Sequence, residues 1–429
     1  HHSNELSWRE SIADVVVIHE DERGHIDLAG LERALEEHHD RPLRIGSFSA
    51  ASNVTGIKTD VHAVARLLHR HGALSFWDFA AAAPYVDVDM NPGSHDEALD
   101  AVFLSPHKLV GGPGTPGVLL VKRRLLQNRV PAVPGGGTVE WVTEEGQRYH
   151  DDPELREEGG TPAIIESIRA GLVFQLKEAV GVQTIRRREE NYGRRAIRHW
   201  EQNPAVNVLG PHEADRVAII SFTVRYDDDR LLHHELVGAL LNDLFGIQAR
   251  GGCSCAGPYG TRLLGIDLPT IRRHTALIDQ GWQGLKPGWT RVGFNYFITE
   301  EEADFIIRAV DLVAAEGWKL LPFYHFDART AQWVHRAAAG HAPLHLDDIR
   351  YVDGRMTFPE RSLVEHVVDF DGYLEQAREI LDAAQAAVDV QAQALPSDVP
   401  DGFEELLWFP LHEEVIRRLR AGQQVAGGR

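Results

Sequence analysis

The stretch FLSPHKLVGGPGTPGVLLVKR, residues 103–123, places Lys108 where an apolar run ends and a Gly/Pro-rich turn begins. The runs on either side of this turn have the aliphatic composition of buried strands. A lysine in this position is either a solvated loop residue or a functional amine. The glycines do not decide between the two interpretations, since they match neither the dinucleotide fingerprint nor a Walker loop.

Upstream of Lys108 the sequence alternates between predicted strands and predicted helices. The helices are predicted over residues 28–38 and 60–72. The strands are predicted over residues 14–18, 42–50, 73–78, 99–105 and 117–122. This alternation predicts the α/β class, with a mostly parallel sheet covered by helices on both faces. Ligands of such sheets bind beyond the carboxyl ends of the strands, where Asn53, Asp78 and Lys108 fall.

The pattern changes in the second half of the chain. Residues 162–203 are predicted to be helical, with Thr161 as the N-cap. Beyond residue 205, strands are predicted over residues 217–225, 246–250 and 289–295, helices over residues 231–245 and 299–318, and a further helix over residues 372–395. We therefore predict a large domain over residues 1–204, a small α+β domain over residues 205–320 and a partly helical C-terminal extension over residues 321–429.

The composition argues against several classes of function. The chain has 429 residues and a formal net charge of -20 at pH 7. This charge disfavours nucleic-acid and anionic-membrane partners, because both bind basic surfaces. No run in the sequence is apolar and long enough to cross a bilayer. A small-molecule substrate or a protein partner fits these features better, and the cytoplasm is the expected compartment. The two cysteines, Cys253 and Cys255, are too close in sequence to indicate a disulfide framework.

Polar residues near the predicted strand ends form a first group of candidates. Asp78 follows the apolar run ALSFW, either as a helix N-cap or as the partner of a cationic heterocycle. A lysine that forms a Schiff base must be neutral part of the time, although a free ammonium has a pKa of about 10.4. Ser105 and His107 flank Lys108 with donors suited to a phosphate. Thr161, in EEGGTPAI, either seats an anion at a helix start or only caps the helix.

A second group of candidates lies in the predicted small domain. The segment RGGCSCAG carries both thiols beside Arg250, whose charge favours the reactive thiolate. Structural cysteines in a glycine loop are the alternative. A metal site is not indicated, because no second pair of ligands follows at a suitable spacing. Arg291 lies among apolar neighbours in WTRVGFN and needs a carboxylate, either internal or from a ligand.

Five of these motifs together resemble a known family. SNVTG, WDFAAA, SPHKLVGG, EGGTP and RGGCSCAG occur in the order typical of the class V aminotransferase family of pyridoxal-phosphate (PLP) enzymes of fold type I. The cysteine desulfurase and selenocysteine lyase branch is the most similar, and the resemblance runs from residue 1 to about residue 320. It implies the fold type I architecture and a PLP cofactor.

The resemblance implies a set of cofactor contacts. Lys108 matches the lysine that forms the Schiff base with PLP, and Asp78 matches the carboxylate that keeps the pyridinium nitrogen protonated. Asn53 matches the contact to the ring hydroxyl side, and His1 matches the imidazole that stacks on the ring. The implied phosphate ligands are Ser105, His107 and Thr161, the last from the neighbouring subunit of a homodimer.

The resemblance also implies which residues bind the substrate and accept its sulfur. Arg291 matches the anchor of the substrate carboxylate, and Arg250 accompanies it there. Cys255 aligns with the cysteine that accepts sulfur, whereas no such role is expected for Cys253. The implied reaction moves sulfur from cysteine to Cys255, leaves alanine, and would pass the sulfur to an acceptor protein of unknown identity.

The chain also departs from the family pattern. Ala81 stands where desulfurases carry a glutamine near the ring hydroxyl. The family has a long segment before HHSN that contains a phosphate-binding Gly/Thr turn, so we expect a chain without it to bind PLP weakly or not at all. Residues beyond about 320 match no part of the family that we can place.

Two alternative functions follow from the same motifs. One is a PLP-dependent epimerase or transaminase in which Cys255 has no role. The other is a non-catalytic protein that keeps the fold type I scaffold. Replacement of Cys255 separates the first alternative from a desulfurase.

Overall fold

The computed structural model describes residues 1–338, 345–358, 368–386 and 390–426. Its helices are α1 (Leu6–Arg9), α2 (Leu28–Glu37), α3 (Val61–Arg70), α4 (Pro153–Arg156), α5 (Ile164–Val180), α6 (Val182–Trp200), α7 (His234–Phe245), α8 (Gly257–Leu263), α9 (Leu268–Ile278), α10 (Glu300–Glu316), α11 (Phe370–Ala386) and α12 (His412–Ala426). Its strands are β1 (Ile45–Ser49), β2 (Leu74–Asp78), β3 (Ala101–Leu104), β4 (Val118–Val121), β5 (Val139–Thr143), β6 (Gly146–Tyr149), β7 (Val206–Val208), β8 (Ile219–Val224), β9 (Thr290–Gly293), β10 (Tyr324–Phe326), β11 (Trp333–His335), β12 (Arg350–Val352) and β13 (Arg355–Thr357).

A four-stranded sheet leads to the candidate lysine. Its strands lie in the order β1-β2-β3-β4, with β1, β2 and β3 parallel and β4 antiparallel to β3. The register pairs Asp78 with Ser49 on one side and with Phe103 on the other. The predicted α/β class with a mostly parallel sheet is confirmed. Because parallel strands end at the same edge, Asp78 lies beside the end of β3, from which the chain continues to Lys108.

Helix α3 packs against this sheet through its apolar face. Val64 and Leu68 recur at helical spacing and are buried in one cluster with Trp77 of β2. The helix begins at Asp60, whose carboxylate accepts a hydrogen bond from the Ala63 amide at 3.0 Å. Burial of this face fixes β2, and therefore Asp78, relative to the rest of the large domain.

Residues 14–18, which the structure describes in full, do not form the predicted strand. Val15, Val16 and Val17 are between 44% and 50% exposed. An apolar run becomes a strand only where a neighbouring strand can pair with it, and its composition does not report that neighbour. The predicted strand over residues 246–250 is also reduced, to a single bridge between Arg250 and Arg291.

The helical region after residue 160 is divided into two helices. Gly181, with φ of 86°, separates α5 from α6, and this left-handed conformation favours glycine. Helix α5 begins at Ile164 with Ala163 as its N-cap, without a side-chain hydrogen bond. The prediction of Thr161 as the N-cap is therefore wrong, because the helix starts too late for its hydroxyl to reach the first-turn amides.

The largest hydrophobic cluster joins the predicted small domain to the C-terminal region. A three-stranded antiparallel sheet, ordered β7-β8-β9, contributes Phe222 to this cluster. Helix α6 contributes Trp200, and α11 and α12 contribute Leu374 and Val415. Residues before and after position 320 therefore share one core. The domain limits at residues 204 and 320 stay predictions. The helix predicted over residues 372–395 corresponds to α11 up to Ala386; residues 387–389 lie outside the described residues, and the prediction is wrong for residues 390–395, which are not helical.

Buried titratable groups lie in and beside this core. Burial lowers the pKa values of three histidines, most strongly that of His233. The other two are His274 and His412, both less than 5% exposed. Burial has the opposite effect on Glu189 in α6 and raises the pKa of its carboxyl to about 8, partly offset by a hydrogen bond from the Tyr296 amide.

We expect the free energy of unfolding to be highest near pH 6.5. Below this pH the unfolded chain protonates the three histidines, whose unfolded pKa is about 6.5, so their contribution is lost as the pH falls toward their lower folded pKa values. Glu189 acts in the opposite sense, because its contribution is complete below its unfolded pKa of about 4.3 and is lost as the pH rises through about 8. Between these unfolded pKa values the free energy of unfolding therefore rises with pH, because the combined contribution of three histidines is larger than that of one carboxyl.

Urea unfolding measured from pH 5 to pH 9 tests this profile. Glu189→Gln should flatten the alkaline side and steepen the acid side, because the carboxyl opposes the histidines between its unfolded pKa of about 4.3 and its folded pKa of about 8. A wild-type unfolding free energy that stays constant between pH 6.5 and 8.5 would contradict the role of Glu189.

Candidate active site

Lys108 lies in a tight turn at the carboxyl end of β3. The 3-10 turn Pro106–Lys108 follows the strand, and the Lys108 amide donates to the Ser105 carbonyl at 3.0 Å. A Cβ on Gly112 would lie 2.0 Å from the Pro106 carbonyl oxygen, so only glycine fits there. The glycine run therefore turns the chain back sharply into β4 and keeps Lys108 at the sheet edge.

The surroundings of Lys108 lower the pKa of its amine. Burial is the largest cause, and the charges of Arg291 and Arg250 act in the same direction. Asp78 opposes them, because its carboxylate favours the ammonium form. Although one side of Lys108 is open to solvent, a larger fraction of the amine is neutral than in a free lysine. This is the property that a nucleophilic lysine needs.

Asp78 ends β2 and is followed by a turn rather than a helix, so it caps no helix, and its role beside a cationic heterocycle stays a prediction. One carboxylate oxygen accepts a hydrogen bond from the Ala80 amide at 2.8 Å, as an N-cap would. The same carboxylate acts on the pKa of Lys108. Asp78 is half-buried at the end of β2.

Arg291 supplies a cation near the candidate site. Its guanidinium donates to the Asn53 carbonyl at 2.8 Å, and its backbone forms paired hydrogen bonds with Arg250 at 2.9 and 3.1 Å. In the part of the chain that the structure describes, no acidic side chain forms an ion pair with Arg291. Burial and Arg250 lower the pKa of this guanidinium, which still carries its charge. Among the described residues no internal carboxylate pairs with Arg291, and the predicted binding of a ligand carboxylate stays a prediction.

The cysteine loop, residues 251–257, is held in a constrained conformation. Ser254 and Cys255 have φ values of 50° and 56°, which cost non-glycine residues about 1 kcal/mol each. The Asn53 side-chain amide donates to the Ser254 carbonyl at 2.7 Å. His2 holds the loop twice, since its amide donates to the Cys255 carbonyl at 2.8 Å and its Nε2 accepts from the Gly257 amide at 2.9 Å.

The two cysteines of this loop face different surroundings. The Cys255 sulfur lies 3.9 Å from an Arg250 guanidinium nitrogen and close enough to Arg291 to act on its pKa. Cys253 instead packs against the cluster that contains Val54 and Trp289. Only Cys255 is therefore placed among the cations of the site.

Three predicted residues do not join this group in the structure. His107 and Thr161 are exposed, and neither side chain makes a hydrogen bond to another candidate residue. His1 is also exposed, and its Nδ1 accepts a hydrogen bond from the Ser3 amide at 3.1 Å. Ser105 is half-buried directly before Lys108 and Ala81 is half-buried after Asp78. The roles predicted for these residues stay predictions.

Sequence reasoning missed several residues beside the site. Tyr85, Lys177 and Glu189 line a small cavity together with Lys108. Glu189 belongs to the run RRREEN, which is typical of a solvated helix face, so nothing in the sequence marks it as buried. His2 was overlooked because its contacts to residues 255 and 257 join segments about 250 residues apart in sequence.

Two further properties bear on function. Among the described residues, no group of three or more His, Cys, Asp or Glu side chains is arranged to hold a metal ion. Every helix in the described ranges is too short or too polar to cross a lipid bilayer.

Comparison with known sequences identifies relatives of this chain. The family described as Aminotransferase class-V matches residues 1–306. A probable cysteine desulfurase of Halobacterium salinarum is 30% identical over 317 residues, which cover 72% of this chain and 67% of that protein. A probable cysteine desulfurase of Streptomyces coelicolor is 27% identical over 320 residues, covering 73% and 67%. This chain thus spans about two thirds of the length of these relatives.

Comparison with solved structures supports the same fold. The apo structure of a cysteine desulfurase from Thermococcus onnurineus superimposes with a TM-score of 0.60 at 24% identity, covering 73% of this chain and 70% of that one. At this identity the similarity establishes the fold alone, and it confirms the predicted fold type I architecture.

Proposed function

The chain belongs to the class V aminotransferase family of PLP-dependent enzymes, and from this premise we propose that it removes sulfur from cysteine and leaves alanine. The names of its relatives support this reaction, as does the placement of Cys255 beside Arg250 and Arg291. The observation that carries the proposal is the lowered pKa of Lys108 at the same sheet edge as Asp78.

The residues at this edge fit the chemistry of PLP. Lys108 supplies an amine for the aldehyde, and Asp78 supplies a carboxylate for the pyridinium nitrogen. Asn53 would lie on the ring hydroxyl side, where Ala81 leaves no side-chain amide. Ser105 and His107 would bind the phosphate, with Thr161 from a second copy of the chain. When bound, the cofactor would act as an electron sink for the bonds at the substrate Cα.

Three residues of the chain would then act on the substrate. Arg291 would bind the carboxylate of cysteine, since its charge is otherwise unpaired among the described residues. Lys108, released from the cofactor when substrate binds, would take the Cα proton. Cys255 would attack the substrate sulfur as a thiolate favoured by the guanidinium of Arg250, and would keep that sulfur after the carbon–sulfur bond breaks.

Two measurements test this function directly. Borohydride reduction of the protein with PLP, followed by peptide mapping, should label the amine of Lys108. In a separate, unreduced sample, incubation with cysteine and excess dithiothreitol, which reduces the persulfide on Cys255, should yield alanine and sulfide in equal amounts. Labelling of a different lysine would remove the basis of the proposal, and pyruvate or D-cysteine as the main product would replace desulfuration by another PLP reaction.

We also propose a homodimer in the cytoplasm. The exposed face of α5 carries Ile164, Ile165, Ile168 and Leu172, each more than 55% exposed, and a contiguous apolar surface of this kind favours contact with another protein surface. Two free thiols are typical of a reducing compartment. Analytical ultracentrifugation tests the dimer, and Ile168→Glu should shift it toward the monomer.

Arg291→Ala should raise the KM for cysteine by roughly 30-fold or more, because it removes a desolvated charge that faces the substrate anion. Cysteamine, which lacks the carboxylate, is the matched substrate. The wild type should prefer cysteine to cysteamine in kcat/KM, and the variant should lose most of this preference. An unchanged preference would show that Arg291 does not bind the carboxylate.

A further inference from the structure

Three consecutive backbone carbonyls are each held by a different aromatic side chain. His233 Nε2 lies 3.2 Å from the Gly284 carbonyl oxygen, and His234 Nε2 lies 3.2 Å from that of Lys286. Between them, the Trp408 indole N–H donates to the Leu285 carbonyl at 3.1 Å. We name His233, His234 and Trp408 the aromatic clamp.

The rings of the clamp support one another. Trp408 stacks on His233 and on His234, with centroid separations of 5.1 and 5.6 Å and interplanar angles of 20°. His233 Nδ1 accepts a hydrogen bond from the Glu235 amide, so its Nε2 carries the proton that is donated to Gly284. Burial lowers the pKa of His233 well below its usual range, and this donor pattern therefore persists at neutral pH.

The clamped segment leads directly to the substrate side of the site. Gly288 packs so closely on Gly252 that a Cβ there would lie 2.7 Å from the Gly252 carbonyl carbon. The Trp289 amide donates to the Gly252 carbonyl at 3.3 Å. Strand β9 follows at once, and the Thr290 hydroxyl donates to the His234 carbonyl at 3.1 Å. The clamp therefore fixes both the base of the cysteine loop and the strand that carries Arg291.

Trp408 lies outside the part of the chain that matches the family, which ends at residue 306. Its carbonyl accepts a hydrogen bond from the Leu231 amide at 3.1 Å, and its neighbour Phe409 is 1% exposed. These contacts attach the C-terminal region to the turn that precedes the two histidines. Lys108 and Asp78 belong to the other sheet, so they make no contact with the clamp.

We propose that Trp408 is a positioning residue, through which the C-terminal region holds Arg291 and Cys255 in place for the substrate. This inference rests on the proposed function for its kinetic readout. Loss of the indole hydrogen bond would leave the segment 284–289 held less firmly, and the cysteine loop and β9 would lose their fixed separation. Cofactor binding at Lys108 would be unaffected.

Trp408→Phe tests the proposal, because it keeps an aromatic ring and removes the indole N–H. Trp333→Phe is the matched control: Trp333 belongs to the same hydrophobic cluster and is 6% exposed, but its indole nitrogen has no hydrogen-bond partner. We expect Trp408→Phe to raise the KM for cysteine by roughly 3- to 10-fold, as for loss of one hydrogen bond, with kcat changed less. Trp333→Phe should leave KM unchanged, and both should keep the wild-type absorption of bound PLP.

The alkylation rate of Cys255 by iodoacetamide, relative to that of Cys253, gives a second readout. The ratio of the Cys255 rate to the Cys253 rate should differ from the wild-type ratio in Trp408→Phe and equal it in Trp333→Phe. This readout does not require turnover, so it tests the clamp even if the wild type releases no sulfide from cysteine, a result that would count against the proposed function alone. Trp408→Tyr serves if Trp408→Phe does not fold. Equal behaviour of the variants at positions 408 and 333 in both readouts would overturn the proposal.

Discussion

Replacing Lys108 with alanine should reduce turnover by at least 10²- to 10⁴-fold and abolish borohydride labelling by PLP, because the substitution removes both the amine that holds the cofactor and the group that takes the substrate proton. The lowered pKa of this amine results from burial and from Arg291 and Arg250, and Asp78 acts on it from the adjoining strand end. Product formation from cysteine and the visible absorption of bound PLP are the measurements.

Lys177→Ala is the control for this experiment. Lys177 lines the same cavity as Lys108, and burial lowers its pKa in the same direction. Its ammonium, however, donates to the Val86 carbonyl rather than facing Asp78. A general effect of removing a lysine from this cavity would appear in both variants, whereas the proposed chemistry requires that only Lys108→Ala lose labelling. Full labelling of Lys108→Ala would show that PLP is bound elsewhere.

The sequence identifies the elements of the large domain because each has a local cause. Residues 60–72 show an apolar face at helical spacing, and β2 and β3 are short apolar runs that end in polar residues. Lys108 and Asp78 come together because parallel strands share an edge, a rule that needs no knowledge of distant contacts. The part of the site built on this sheet could therefore be predicted.

Features that depend on long-range contacts could not be predicted in this way. Residues 14–18 have strand composition but no pairing partner among the described strands, so their valines remain exposed. Glu189 lies in a charged run yet is 3% exposed, because α6 turns that side toward Tyr296. Trp408 reaches the segment before β9 across more than one hundred residues of sequence. No local pattern reports such contacts.

Replacing Cys255 with alanine should reduce sulfide release from cysteine by at least 10²-fold while borohydride labelling of Lys108 is retained. The thiol is the group that would accept the sulfur, and Arg250, 3.9 Å from it, favours the thiolate. An epimerase or transaminase would be nearly indifferent to this substitution, since its chemistry ends at the substrate Cα. Sulfide, alanine, pyruvate and the two enantiomers of cysteine should be quantified in the same reaction.

Cys253→Ala separates the role of the thiol from its effect on the loop. Cys253 lies two residues away on the same strained turn, but it packs against Val54 and Trp289 and faces no cation of the site. Its replacement should lower the free energy of unfolding slightly, because a small, partly buried group is lost, and should leave sulfide release near the wild-type rate. Equal losses in the two variants would assign the effect to the loop conformation and remove Cys255 from the reaction. Loss in Cys255→Ala alone would leave that thiol as the sulfur acceptor.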